Sequence, residues 1–167
     1  QLLKTLNAEH CIYVQGSNSE FILGVAEPRD SFLELAHRLI LPAVYSMKTS
    51  GRHTVFWCHD NKFYGCGLTR NLSIRAKTTY THYPTELDFR PRLSEVITGF
   101  RCLDYGTLFE TDQRWYFVGD YYESQSYLST LYNQKFESID GENLSPNLWV
   151  CHSRPKQSIM NDRLEDE

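Results

Sequence analysis

The sequence predicts an all-β chain, a partial β-propeller of about three four-stranded blades, on three observations. Segments recur at an interval of 51–52 residues, the recurring segments read as strand pairs around tight turns, and those strands are apolar on both faces. A sheet with one wet side alternates apolar and polar residues. A sheet stacked between two neighbours has no wet side and loses that alternation.

At a shift of 52 residues Glu34, Leu35, Arg38, Leu41, Val44, Asp60, Tyr64 and Gly67 recur as Glu86, Leu87, Arg90, Leu93, Val96, Asp112, Tyr116 and Gly119. These are eight identities in one ungapped window of thirty-four positions, where average residue usage gives roughly two. Phe56 and Trp57 align with Leu108 and Phe109 in the same register. A third copy lies 51 residues upstream, where Glu9 to Gly16 matches the stretch ending at Gly67. The shared core is Tyr-x-x-Gly at 13–16, 64–67 and 116–119.

Along the chain, Ser31 to Leu41 carries a helix capping box and several helix formers. Its copy holds Pro84 and Pro91, and a proline inside a helix costs about 3 kcal/mol. Extended structure is therefore expected in both copies. Thr54 to Cys58 and Lys62 to Tyr64 flank Asp60-Asn61, residues that tolerate positive φ, and read as a hairpin. Gly106 to Val118 repeats that reading around Asp112-Gln113. Gly16, Gly67 and Gly119 mark places where the backbone turns sharply or approaches a neighbour. The expected organisation is blades over 1–150, as repeats of about 1–50, 51–102 and 103–150, and a polar tail over 151–167.

Composition narrows the function. With 41% hydrophobic and 14% aromatic residues in 167, the chain can bury a core and is not intrinsically disordered. A net charge of −4 offers no basic field for a phosphate backbone, so no nucleic-acid partner is expected. No apolar run is long enough to span a membrane. The start at Gln1 lacks Met and a signal-peptide layout, so the chain is expected to begin inside a longer protein. Five cysteines, an odd number, fit a reducing, cytoplasmic or nuclear compartment better than a disulfide framework. The Asn-x-Ser triplets at Asn71 and Asn143 are at chance level.

No catalytic, cofactor-binding or metal-binding constellation is legible. Cys58, His59 and Cys66 lack zinc-module spacing, and Cys151-His152 lacks an evident carboxylate partner. The loops are the better candidates: Arg70, Arg75, Tyr80 and Tyr83 lie in one long, locally basic stretch, and Tyr121 and Tyr122 form a second patch. Arg and Tyr anchor protein interfaces because each joins a large contact area to a polar end.

Gly51-Arg52-His53-Thr54-Val55, followed by Phe63-Tyr64-Gly65-Cys66-Gly67, resembles the regulator of chromosome condensation repeat family. The stretch from Tyr13 to Gly24, with its Asn18 loop ending in Leu23-Gly24, resembles the remainder of such a repeat. Val96-Ile97-Thr98-Gly99 and Tyr116-Phe117-Val118-Gly119 resemble the next one. The likeness covers about residues 1–140 and departs from the pattern at Tyr105-Gly106, which stands for His53-Thr54, and after Gly119, where Asp120-Tyr121-Tyr122 replaces the Asn-containing loop. A kelch-like propeller or a sandwich with repeating strands is the alternative.

The resemblance implies a seven-bladed ring of which this chain supplies about three blades. The remaining blades would come from the same or another chain, and a stack of three would leave two apolar sheet faces open. It also implies a protein-interaction scaffold whose loops bind a protein partner. The alternative it implies is a guanine-nucleotide exchange factor that holds a Ran-type small GTPase in its nucleotide-free state.

Overall fold

In the computed structural model, which describes residues 2–6, 11–132, 136–139 and 148–151, three antiparallel sheets follow one another along the chain. The first contains β1 (Leu2–Leu6), β2 (Cys11–Ser17) and β3 (Phe32–Arg38), in that order. The second contains β4 (Val44–Thr49), β5 (His53–Cys58), β6 (Phe63–Leu68) and β7 (Tyr80–Glu86), again in order. The third contains β8 (Ile97–Leu103), β9 (Gly106–Thr111), β10 (Trp115–Gly119), β11 (Glu137–Ser138) and β12 (Leu148–Cys151), with β12 beside β10 and β11 outermost. Among the described residues one α-helix, α1 (Tyr121–Tyr132), lies between β10 and β11. The molecule is a partial β-propeller with sheets of three, four and five strands.

Both hairpins form where the sequence places them, with Asn61 at φ 64° in the first turn. Their residues alternate between two neighbours. Phe56, Cys58 and Cys66 pack on Ile12, Val14, Leu23 and Leu33 of the first unit. Val55 and Phe63 pack the other way, with Phe89, on Phe100, Phe109 and Tyr116 of the third. Phe109 stacks on Phe89 at 4.1 Å and meets Phe63 edge-on at 4.9 Å. Every residue of β9 and β10 is buried, because β-strand side chains point alternately to two faces and both are covered.

The same junctions carry a recurring polar bond. Thr54 donates to Ile22 O at 2.8 Å across the first junction, and Thr107 donates to Asn71 O at 2.7 Å across the second. A buried peptide carbonyl left without a donor would cost about 1–3 kcal/mol, so each threonine fixes how one sheet seats on the loop of the last.

The interval of about 52 residues is structural, but the ungapped register is only partly so. Pairing of Met47 with Phe56 and of Phe100 with Phe109 sets β4 and β5 against β8 and β9 at an offset of 53. The partner of Phe56 is thus Phe109, not Leu108. One residue is lost in the shorter β9–β10 turn, and Tyr64 and Gly67 then match Tyr116 and Gly119 at 52. Opposite the Tyr-x-x-Gly strands, Arg38 pairs with Tyr13 and Glu86 with Tyr64, an offset of 48. The matches of Glu34, Leu35 and Arg38 to Glu86, Leu87 and Arg90 are therefore coincidences of composition. The sheets are also phased earlier than repeats beginning at 51 and 103, since β4 pairs with β5 and β8 with β9.

The segments containing the capping box and its copy are extended, as β3 and β7. In both sheets the pairing slips at the motif glycine: β3 advances four residues, Leu33 to His37, while β2 advances two, and β7 does likewise from Thr81 to Thr85. Pro84 sits in that irregularity on an edge strand, where no ladder bond needs its missing N–H.

Two expectations are corrected. The stretch after Gly119 is not a loop but α1, with Asp120 capping Glu123 N at 3.2 Å. The outward face of the third sheet is not bare, because Leu108, Trp115, Phe117 and Cys151 are buried with Tyr121, Leu128 and Phe136. Of the tail expected over 151–167, Cys151 is instead the buried last residue of β12, and the remainder, with Asn143, lies outside the described residues.

Gly67 and Gly119 have φ 106° and 139°, and a Cβ on Gly67 would lie 2.6 Å from both Arg52 O and His53 Cα. Gly67→Ala is expected to lower stability by at least ~2 kcal/mol, from strain and backbone clash together. Urea unfolding of the variant checks this, and an unchanged midpoint refutes it.

Candidate interaction surface

One end of the stack gathers the β4–β5 and β8–β9 turns with the segments that follow each motif glycine. Leu68 N donates to Arg52 O at 2.8 Å, and Asp120 N to Tyr105 O at 2.8 Å. The side chain of Asn71 reaches across to Asp104 O at 2.9 Å, which ties the second sheet's loop to the third sheet's turn. Asn71 is fully buried, so its Asn-x-Ser triplet cannot accept a glycan in this fold.

Beneath this end, His53 joins the two sheets. Thr107 Oγ1 spends its proton on Asn71 O, so His53 Nε2–H donates to Thr107 Oγ1 at 2.8 Å. Nδ1 then accepts from Ser50 Oγ at 2.8 Å and from Asn71 Nδ2 at 3.3 Å. The network assigns the Nε2–H tautomer and leaves no lone pair for a proton. Burial lowers the imidazole pKa to about 3, so the ring is neutral.

The six sequence-predicted residues do not form one patch. Arg70 is exposed beside the third sheet, 3.8 Å from Asp120 Oδ2. Tyr122, 78% exposed, projects from the first turn of α1, but Tyr121 is buried, stacked on Trp149 at 4.2 Å. Its ring belongs to the core because α1 turns that side inward. Tyr80 starts β7 near the first junction, where Arg29 donates to its hydroxyl at 2.9 Å and lies over its ring. Tyr83, 57% exposed, stands further along that edge strand. Arg75 accompanies Asp88, beyond the far end of β7, through a backbone bond of 3.0 Å.

Sequence reasoning missed several residues that the fold adds to this end. Phe21 stacks on His82 at 4.1 Å and packs against Tyr80. Glu20 and Phe21 both hold positive φ, 55° and 60°, a strained pair for side chains of that size. Arg52 lies over the Tyr105 ring at 5.1 Å, a cation–π contact at the second junction. Its position next to His53 in the Gly-Arg-His-Thr stretch was the one available signal.

Several groups that could do chemistry are held inside the sheets. Burial raises the Cys58 and Cys66 thiols to about 12 and that of Cys102 higher still, which withholds the thiolate. Tyr116 donates to the buried Glu95 at 2.6 Å, and Arg114 pairs with the same carboxylate at 2.7 Å. Among the described residues no three His, Cys, Asp or Glu side chains converge as a metal site, and no helix is long and apolar enough to cross a membrane.

No protein-family model matches the chain, and no curated protein matches it. Solved structures do. Human WBSCR16 matches with TM-score 0.59 at 18% identity, over 87% of this chain and 40% of that one. Prp20p from Saccharomyces cerevisiae, in a structure described with its binding properties to Gsp1p and histones, matches with TM-score 0.58 at 16% identity, over 91% and 42%. Yeast RCC1 (Prp20) bound to Kap60 matches with TM-score 0.57 at 14% identity, over 93% and 35%. The fold is thus like that of these proteins, and the chain spans about two fifths of their length.

His53 makes stability depend on acid. The unfolded imidazole binds a proton near pH 6.5 and the folded one only near 3, so stability falls as pH drops through that window, by up to about 1.4 kcal/mol per pH unit. A His53→Gln variant, less stable at pH 7, is expected to lack this share of the acid slope. Urea midpoints between pH 7 and 5 check it; equal slopes in the two proteins contradict it.

Proposed function

We propose that this chain is a protein-interaction scaffold: blades of a propeller of the regulator of chromosome condensation type, over 1–150, whose loop end binds a protein partner. The observation that carries this reading is the division of the chain's polar chemistry. The buried thiols and His53 are committed to the sheet junctions, while Arg70, Tyr83 and Tyr122 are exposed and Tyr80 is half-exposed. Exposed Arg and Tyr held by rigid sheets match what recurs at interface anchors. Remaining blades, from the same or another chain, would extend the stack. Five cysteines with no disulfide among them support an intracellular setting, cytoplasmic or nuclear.

A second reading, nucleotide exchange on a Ran-type small GTPase, is favoured by the likeness to Prp20p, a protein described by its binding to Gsp1p and histones. Such a protein acts by binding the nucleotide-free GTPase more tightly than the loaded one. It needs no catalytic residue of its own.

Alanine at Arg70, Tyr80, Tyr83 and Tyr122 together is expected to weaken partner binding at least tenfold while the melting temperature stays within a few degrees. Cross-linking capture followed by titration of the identified partner measures it, and undiminished binding refutes the surface. Release of labelled GDP from a Ran-type GTPase separates the readings. Acceleration by the chain supports exchange, and an unaltered rate removes that reading while leaving the scaffold standing.

A further inference from the structure

In a propeller each sheet offers one face to the blade before it and one to the blade after it. The second sheet offers the third Val55 and Phe63. By strand pairing, the equivalents of these two residues in the third sheet are Leu108 and Trp115. These two, with Phe117 and Cys151, form an apolar face pointing away from the second sheet, the face on which a following blade would sit. It is already covered. Tyr121 and Leu128 of α1 and Phe136 beyond it pack there, and Leu108 and Phe117 are fully buried.

The helix is built for that position. Tyr121, Ser124 and Leu128 are buried at helical spacing on one side, while Tyr122 and Tyr127 on the other are exposed. Tyr121 stacks on Trp149 of β12 and accepts a bond from Phe136 N at 3.3 Å. Twelve residues of helix reach about 18 Å, the length of a strand of five or six residues. After β2 and β6 the chain makes only short 3-10 turns, so the helix is particular to the third sheet.

We propose that α1 is an end cap that occupies the seat of a following blade. It closes the stack at the third sheet, so further blades join through the first sheet, and a sheet can reach Leu108 and Phe117 only after α1 has moved away. Repeat stacks need such a cap because a bare terminal face is an aggregation surface. The inference is independent of which partner the loop end binds.

Two free thiols report on it. Cys151 lies under the cap and Cys66 lies between the first two sheets. Native-state labelling with N-ethylmaleimide, mapped by mass spectrometry, is expected to modify Cys151 of the wild-type chain at a lower urea concentration than Cys66. Leu128→Ala is expected to speed labelling of Cys151 at least tenfold and that of Cys66 less than twofold, whereas Tyr127→Ala, at an exposed position, changes neither. One common opening of both thiols in the wild type, or a Cys151 rate that Leu128→Ala leaves unaltered, would overturn the cap. Because the wild-type measurement needs no substitution, a Leu128→Ala chain that fails to fold does not protect the inference.

Discussion

A sheet with two apolar faces is stable only when both are covered, and the rest of this molecule follows from that constraint. β5 sends Phe56 to one neighbour and Val55 to the other, and β6 divides Phe63 and Cys66 in the same way. No single sheet of the three could fold alone, since each would leave several large side chains in water at about 25 cal/mol for every Å² exposed. The sheets are therefore parts of one cooperative unit, in which the Thr54 and Thr107 bonds select one seating out of the many that apolar contact alone would allow.

In the proposed reading, function is pushed outward by the same constraint. Groups that could do chemistry in a cleft are here used to join sheets: the imidazole of His53 has both nitrogens engaged, and the Cys66 thiol is locked between faces. The proposed recognition surface is the rim, where turns and post-glycine segments from neighbouring sheets meet. That rim is stiff, because Asn71 and His53 bond it to the layer beneath. Surface held in this way loses little conformational entropy on binding.

The sequence made the two-faced sheets legible because the absence of apolar–polar alternation in Thr54 to Cys58 and Gly106 to Val118 is a direct consequence of double burial. The motif glycines were legible too, since Gly67 and Gly119 have a backbone geometry that other residues reach only with strain. The register was not. Turns and connectors differ in length between units, and an ungapped comparison rewards chance identities such as Glu34 with Glu86 as much as true ones such as Tyr64 with Tyr116. The departure from the repeat pattern after Gly119 was visible, but not its meaning: α1 exists because its Tyr121 and Leu128 have a sheet face to cover, and no local pattern states which face stands open. Tyr121 was misplaced as a surface anchor for that reason. Of the surface residues, Phe21 escaped notice because only the fold brings it onto His82.

The central claim is that the hairpin of the second sheet works in two directions at once, and pairwise coupling of substitutions tests it most directly. Phe63 and Phe109 meet at 4.9 Å across the second junction, whereas Phe56 lies in the first. A double-mutant cycle of Phe63→Leu with Phe109→Leu should give a coupling energy of about 0.5–3 kcal/mol, and Phe56→Leu with Phe109→Leu should be additive to within about 0.5 kcal/mol. Coupling of Phe56 to Phe109 with additivity of Phe63 and Phe109 would reverse the faces and contradict the account.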